Sequence, residues 1–409
     1  MSRRNAGNEN DNSTAIVATT TSSSTIVKPG RALFLLRLIL NFAYSITMRT
    51  NRLFARATSS VPSTAQIGLP VTAALIAVGS ALAGGIDYQG LITTPALDRW
   101  MYPFNSNAGA QPTISTFGST PGDTTTFDSR VAQMLTRFDT SALVPAGLGA
   151  SRYQVQSMRL TVQFANDLVI QYDPTPDPWQ SFLAEDDANY QSDRDPGQPL
   201  ELFGVGFRNG FTLQSFAENS PYTVPPNSPL TPSVRNAFAL SFDPNGATID
   251  VSNNPRQGFD PKRFAVGMID GLAPGDFIPL DTVMHFDLDV SDPAIQGYFA
   301  SGIDAGRLML ALTSLTLVEQ QGGNFPRFYS KENAFVIFNL AQAAQLQYEI
   351  RVLPECANAD INCDGLVNGA DLALVLGNWG ECADCPEDLN DDGVVNGADL
   401  AIVLGGWTG

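Results

Sequence analysis

The sequence predicts a mainly β protein: an antiparallel β-sandwich followed by a small α-helical module built on a duplicated Asp-rich loop. Three observations predict it. Apolar and polar residues alternate along several short segments of the middle region, the period of a half-buried strand. Those segments are separated by clusters of Pro, Gly, Asn and Asp, such as Asp173-Pro174-Thr175-Pro176-Asp177-Pro178. Near the C-terminus, two twelve-residue stretches rich in Asp, Asn and Gly repeat at a spacing of 28 residues, an internal duplication.

Composition bounds the function classes. The 409 residues carry 41 acidic and 23 basic side chains, a net charge of -18. Phosphate backbones are gripped by Lys and Arg, so nucleic acid is not an expected partner. An apolar content of 44 % supports a packed core. The single histidine, His285, leaves little room for Ser-His-Asp, Cys-His or His-based zinc chemistry. It stands in the alternating run Met284 to Val290 and reads as an outward-facing strand residue.

Residues 1–47 are rich in polar and small residues at their start and read as a disordered or mis-called extension, with Met48 as the true start. Residues 48–83 read as a signal peptide. Arg49, Arg52 and Arg56 form the basic region, Ile67 to Leu82 the uncharged, mostly apolar stretch, and Ala81-Leu82-Ala83 the small-residue cleavage site. At about 1.5 Å per residue the apolar run spans only about 25 Å, short of a bilayer core, so cleavage after Ala83 is expected rather than anchoring. The protein is then secreted or held at the cell surface, with no membrane contact after cleavage.

Residues 84–354 carry the strand signals. Met158, Leu160, Val162 and Phe164 alternate with Ser157, Arg159, Thr161 and Gln163, and Leu346, Tyr348, Ile350 and Val352 with Gln347, Glu349 and Arg351. Leu308 to Leu312 is a further strand candidate. No long helical period interrupts the region.

Residues 355–409 hold the most specific pattern. Asp360, Asn362, Asp364, Asn368 and Asp371 fall at positions 1, 3, 5, 9 and 12 of one loop, and Asp388, Asn390, Asp392, Asn396 and Asp399 at the same positions of the other. Gly365 and Gly393 occupy position 6. Calcium takes six to eight hard oxygen ligands, alternate residues of a tight loop converge on one ion, and a backbone carbonyl serves at position 7, here Leu366 and Val394. Two Ca2+ ions are therefore expected. After each loop, Leu372, Val375, Leu376 and Trp379, and their equivalents Leu400, Val403, Leu404 and Trp407, mark one face of a short helix, and two such faces can bury each other. All four cysteines, Cys356, Cys363, Cys382 and Cys385, lie here and read as two disulfides with three possible pairings. Cys382 and Cys385 could instead form a redox or zinc pair.

A duplicated calcium loop ending in Asp, with a helix only on its C-terminal side, resembles a type I dockerin domain over about residues 356–409. The resemblance implies an EF-hand-like fold, calcium ligation by the loop residues just named, and docking onto a cohesin-like or cell-surface protein. Positions 10 and 11, where such domains usually carry recognition side chains, are Gly369-Ala370 and Gly397-Ala398, which offer no hydrogen-bonding side chain. More weakly, Met134 to Asp139, a turn at Pro145, the strand from Val155 to Leu160, and the segments Phe286 to Val290 and Phe328 to Glu332 resemble jelly-roll modules of secreted polysaccharide-degrading proteins.

Carbohydrate is the expected ligand of the middle region, with Trp179, Trp100 and Tyr190 as stacking candidates and Tyr102, Tyr172 and Tyr222 nearby in sequence or in similar loops. The expected function is recognition and attachment in polysaccharide catabolism, without catalysis. The alternatives are a glycoside hydrolase using paired carboxylates from Glu185-Asp186-Asp187 or Asp193 and Asp195, and a purely structural surface protein.

Overall fold

The computed structural model describes residues 85–121, 126–317, 324–363, 366–382 and 385–408. The extension 1–47, the signal segment 48–83 and the loop ligand Asp364 that the sequence leads one to expect lie outside the described residues. No helix among the described residues is long and apolar enough to cross a membrane.

The fold is mainly β, with fifteen strands in antiparallel sheets and five short α-helices among the described residues. One sheet orders β1 (Ile86–Ile92), β13 (Gln345–Val352), β5 (Tyr153–Gln163) and β10 (Val283–Asp287). The other orders β2 (Leu97–Met101), β4 (Gln133–Asp139), β11 (Arg307–Ser314), β6 (Leu200–Phe207), β7 (Ala237–Phe242) and β8 (Thr248–Asp250), with β9 (Ala265–Val266) also paired to β6. Two small ladders join β3 (Thr113–Ser115) to β12 (Arg327–Tyr329), and β14 (Gly380–Glu381) to β15 (Val394–Val395).

The period-2 pattern decides which face of each strand is buried. Met158, Leu160 and Val162 of β5, and Leu346, Tyr348, Ile350 and Val352 of β13, enter one apolar cluster with Met134 and Phe138 of β4, Leu202 of β6 and Leu308, Leu310 and Leu312 of β11. The two large sheets thus share a core. His285 of β10 points away from the buried Met284 and Phe286, as the alternation requires, and is registered opposite Thr161.

Two features depart from the sequence reading. β11 does not alternate, because both of its faces are buried. Leu308, Leu310 and Leu312 face the shared core, whereas Met309 and Ala311 join a second cluster with Leu97, Leu135, Phe203, Val205 and Ala239. That outer cluster is covered by the long β6–β7 connection, which supplies Phe211, Leu213, Phe216 and Tyr222. The second departure is a twelve-residue helix, Pro293–Asp304. Asp292 caps it by accepting from the amides of Ala294 and Ile295, Pro293 stands at its first turn, and Ile295, Phe299 and Ile303 bury one stripe.

Two buried carboxylates of this region are paired with arginine. Glu201 accepts from Arg263 and Arg130, both drawn from neighbouring segments, and Asp128 bonds Arg235 at 2.7 Å while accepting from Ser233 N at 2.7 Å. Burial pushes both carboxyls up, but the Arg130 and Arg263 charges on Glu201, and the Arg235 charge and donated bonds on Asp128, outweigh it, leaving each below its ordinary range. Their stabilisation is therefore complete above the unfolded carboxylate pKa of about 4 and is lost as pH falls through the lower folded value.

Removing one partner strands the others. Glu201→Gln leaves Arg130 without its carboxylate in a site excluded from water, and a loss of about 3–5 kcal/mol is expected in chemical denaturation at neutral pH, shrinking as the pH is lowered below about 4. A loss under about 1 kcal/mol would mean that the pair carries no such charge balance.

Candidate functional site

Among the described residues, the two Asp-rich loops share their position-12 contacts and helix caps. In the second, Asp388 closes its own turn: Oδ1 accepts from Asp392 N at 3.1 Å and Oδ2 from Gly393 N at 2.7 Å. Asn390 Oδ1 accepts from Asp392 N at 3.1 Å, Asp392 Oδ1 accepts from Val394 N at 3.0 Å, and the Val394 carbonyl accepts from Asn396 Nδ2 at 2.9 Å. Gly393 takes φ +86°, the left-handed turn that position 6 demands. In both copies the loop runs into a nine-residue helix, Gly369–Gly377 or Gly397–Gly405, through a capping box.

The position-12 residues are the hubs. Asp371 Oδ1 accepts from Asn362 N at 3.1 Å and its Oδ2 from Asn368 N at 2.9 Å. Asp399 repeats this with Leu389 N at 2.8 Å, Asn390 N at 3.3 Å and Asn396 N at 2.8 Å. Burial raises the pKa of both carboxyls, but the converging backbone N–H groups outweigh it and hold them below the ordinary range. Both are ionised at neutral pH. Asp360 and Asp388 at position 1 are buried as well.

The copies exchange pairing partners. Val395 in the second loop pairs with Gly380, three residues beyond the end of the first helix. In the first loop Val367 donates to Thr408 Oγ1 at 2.8 Å and its carbonyl accepts from Thr408 N at 2.9 Å. Val367 and Val395, like Gly380 and Thr408, are 28 residues apart, so each loop is tied to the segment that follows the other copy's helix. Ala359, Val367, Val375, Val395 and Val403 form the buried core between them.

The helix face expected from the sequence is only half used. Val375 and Val403 are buried and Leu372 and Leu400 pack against them, whereas Leu376, Trp379, Leu404 and Trp407 are exposed. The helices end at Gly377 and Gly405, so the tryptophans lie past the last turn, and the loop residues Val367 and Val395 fill the space the outer leucines were expected to take. Of the three possible pairings, the disulfides are Cys356–Cys363 and Cys382–Cys385. Each closes a short local loop and neither joins the copies. Cys382 and Cys385 are thus a disulfide rather than a metal pair.

The aromatic candidates of the middle region sit in different surroundings. Trp100 stacks on Tyr102 with ring centroids 4.6 Å apart, and both pack around Phe117. Tyr172 is buried and its hydroxyl accepts from Ile269 N at 3.1 Å; Tyr222 lies against Arg235. Tyr190 is half-buried in the turn after Asp187. No ring contact joins Trp179, Trp100 and Tyr190 among the described residues.

Trp179 lies against a segment that edges a cavity, without itself lining it. Its amide donates to Asp260 Oδ1 at 2.7 Å, and its ring lies 3.5 Å from where a Cβ on Gly258 would stand. Gln257, Phe259 and Asp260 of that same segment line a surface cavity of about 540 Å³ together with Phe242, Asp243, Ile249 and Asp250. Only Trp179 was legible from the sequence, because the rest comes from strand ends and a short helix without a local motif. The carboxylates at this cavity serve the fold: Asp250 pairs with Arg208 at 2.6 Å, Asp243 accepts from Asn245 N and Ala247 N, and Asp260 holds Trp179. Asp187 likewise closes a turn by accepting from Asn189 N at 2.8 Å, and Glu185 and Asp186 are exposed.

The pseudo-symmetry makes a quantitative prediction. Asp371→Ala and Asp399→Ala each remove two or more partly buried backbone hydrogen bonds and a cap, so each is expected to destabilise the tail by about 1–3 kcal/mol in urea without any metal present, and by similar amounts. A loss under about 0.5 kcal/mol at either position would contradict the hub role.

No protein-family model, curated protein or solved structure matches this chain.

Proposed function

We propose that the chain is an exported, calcium-stabilised recognition and attachment protein, in which a jelly-roll-like β-sandwich binds carbohydrate or a surface and a dockerin-like tail binds two Ca2+ ions and attaches to a protein partner. One observation carries the calcium reading. The tail, residues 355–409, has 11 acidic residues and no Lys or Arg, yet it buries Asp360, Asp371, Asp388 and Asp399. None of the ion pairs among the described residues reaches Asp371, Asp388 or Asp399.

The donor set fits a hard divalent cation. Asp388, Asn390, Asp392, Asn396 and Asp399, with the Val394 carbonyl, offer oxygen only, and Asp360, Asn362, Asp364, Leu366, Asn368 and Asp371 are their equivalents. Calcium would supply charge neutralisation when bound. The chain's own residues supply the geometry: the backbone amides fix the position-12 carboxylates, and the reciprocal pairing sets the two loops against each other.

Attachment is supported by the exposed quartet Leu376, Trp379, Leu404 and Trp407, two repeat-related Leu–Trp pairs on a small module. With Gly-Ala at loop positions 10 and 11, partner contact falls to these apolar side chains. The sandwich reading is supported by the core that the two large sheets share. Carbohydrate recognition is supported by Trp179 against the segment that edges the cavity at Gln257, Phe259 and Asp260, an aromatic plane next to amide and carboxylate hydrogen-bonding groups. Two disulfides in a small module agree with an oxidising, extracellular destination.

Calcium binding by the full chain tests the tail reading: Asp371→Ala and Asp399→Ala are each expected to lower the bound calcium by one ion per chain, and unchanged stoichiometry in both would overturn it. On a glycan array, Trp179→Ala is expected to lower retention at least tenfold. Equal retention, or no glycan bound by the native chain, would remove carbohydrate from the proposal.

A further inference from the structure

Two clusters outside the tail bring three carboxylates within 4.8 Å of one another: Asp98, Glu218 and Glu332, and Asp173, Asp177 and Asp195. They differ in how their charge is met. Lys331 reaches into the first, bonding Glu218 and lying 3.4 Å from Glu332 and 3.7 Å from Asp98. Nothing comparable enters the second. None of the ion pairs among the described residues involves Asp173, Asp177, Asp193 or Asp195. The nearby Arg263 guanidinium donates to the Asp177 backbone carbonyl at 3.0 Å and gives its charge to Glu201.

Burial makes this second cluster costly. Asp173 and Asp177 are each only 3 % exposed, and Oδ2 of each is buried without a hydrogen-bond partner. A buried carboxylate oxygen with no donor loses its water and gains nothing in return, so it calls for a positive partner or a proton. Thr175 cannot meet the need. Its hydroxyl lies 2.7 Å from Asp173 Oδ1 and 2.6 Å from Asp195 Oδ2, and its one proton serves a single carboxylate at a time. The backbone closes over the site on another side: a Cβ on Gly197 would stand 2.8 Å from the Asp173 Cβ.

We propose that Asp173, Asp177 and Asp195 hold a third calcium ion, in the loop between β5 and β6 and separate from the tail. The separation fits that ion, since two oxygens bound at about 2.4 Å to one calcium lie no more than about 4.8 Å apart. Their hard-oxygen chemistry excludes soft metals. Asp193 stands two residues from Asp195 and accepts from its amide at 3.4 Å, bringing a fourth negative charge to the rim. Asp173 and Asp177 are too buried for a polymer to reach, whereas Asp195 is exposed at the rim.

The ion would also matter to Trp179, which follows Asp177 by two residues. Fixing Asp177 to Asp173 and Asp195 pins the start of the short 3-10 turn Trp179–Phe182. The third ion thereby orders the segment that carries the aromatic ring.

The test uses the full-length chain carrying Asp371→Ala and Asp399→Ala, which removes the tail hubs, and the same chain with Asp195→Ala added. Asp195 is exposed, so its substitution leaves the fold intact. The first chain is expected to bind one calcium ion per molecule by equilibrium dialysis and to melt several degrees higher with calcium than with chelator. The second is expected to bind none and to show no calcium-dependent shift. No ion on the first chain, or an ion retained by the second, overturns the proposal. Failure of the tail reading shows separately, as equal stoichiometry in the native chain and the first variant.

Discussion

Every part of this molecule that buries negative charge must find positive charge for it, and the chain meets that constraint in two ways. Between the large sheets and the loops that cover them, arginine does the work: Arg130 and Arg263 meet Glu201, and Arg235 meets Asp128. In the tail no Lys or Arg exists, and in the loop around Asp177 none comes within pairing distance. At an effective dielectric of about 20, two unit charges 4.8 Å apart repel by roughly 3.5 kcal/mol, and three such carboxylates multiply the cost. A domain with a net stability of about 5–15 kcal/mol cannot carry several such clusters unbalanced. In the reading proposed above, divalent cations would supply that charge, and metal binding would then lie inside the folding equilibrium of both regions.

The strands were legible where one face meets the core and the other does not. β5 and β13 alternate in sequence as they alternate in burial, with Gln163 the instructive exception. It is buried on the polar side because its side chain donates to the Asp281 carbonyl at 2.9 Å and accepts from Gln342 N at 2.6 Å. β11 carries no alternation because it is central and covered on both faces, a condition set by the distant segment around Phe216 and invisible in Leu308 to Leu312 themselves. The helix Pro293–Asp304 had a readable start in Ser291-Asp292-Pro293 and a readable stripe in Ile295, Phe299 and Ile303. Its Gly297 and Gly302 weaken the helical pattern, and the surrounding strand signals masked it.

At the candidate sites, legibility follows sequence distance. The loop ligands lie within twelve residues of one another, so their spacing could be read directly, and the capping boxes follow from the same Asn-Gly-Ala-Asp quartets. The exchange of Val367 with Thr408 and Val395 with Gly380 follows from the repeat, but only the fold reveals it. Leu376 and Leu404 continue the apolar pattern of their helices and nonetheless face outward, since a nine-residue helix has room for only one buried turn against its partner. Asp173 and Asp177 look like turn residues among prolines. Gly197 packs closely on Asp173 from twenty-four residues away, which no local pattern announces.

If cations complete the charge balance, calcium should be felt at separate places in the chain and not elsewhere. Hydrogen–deuterium exchange of the full-length protein, with calcium and with chelator, reads all of them at once. The account predicts that chelation accelerates exchange in residues 360–371, 388–399 and 173–195, while the amides of β5 and β13 keep their protection. Unchanged protection of all three segments on chelation would contradict it.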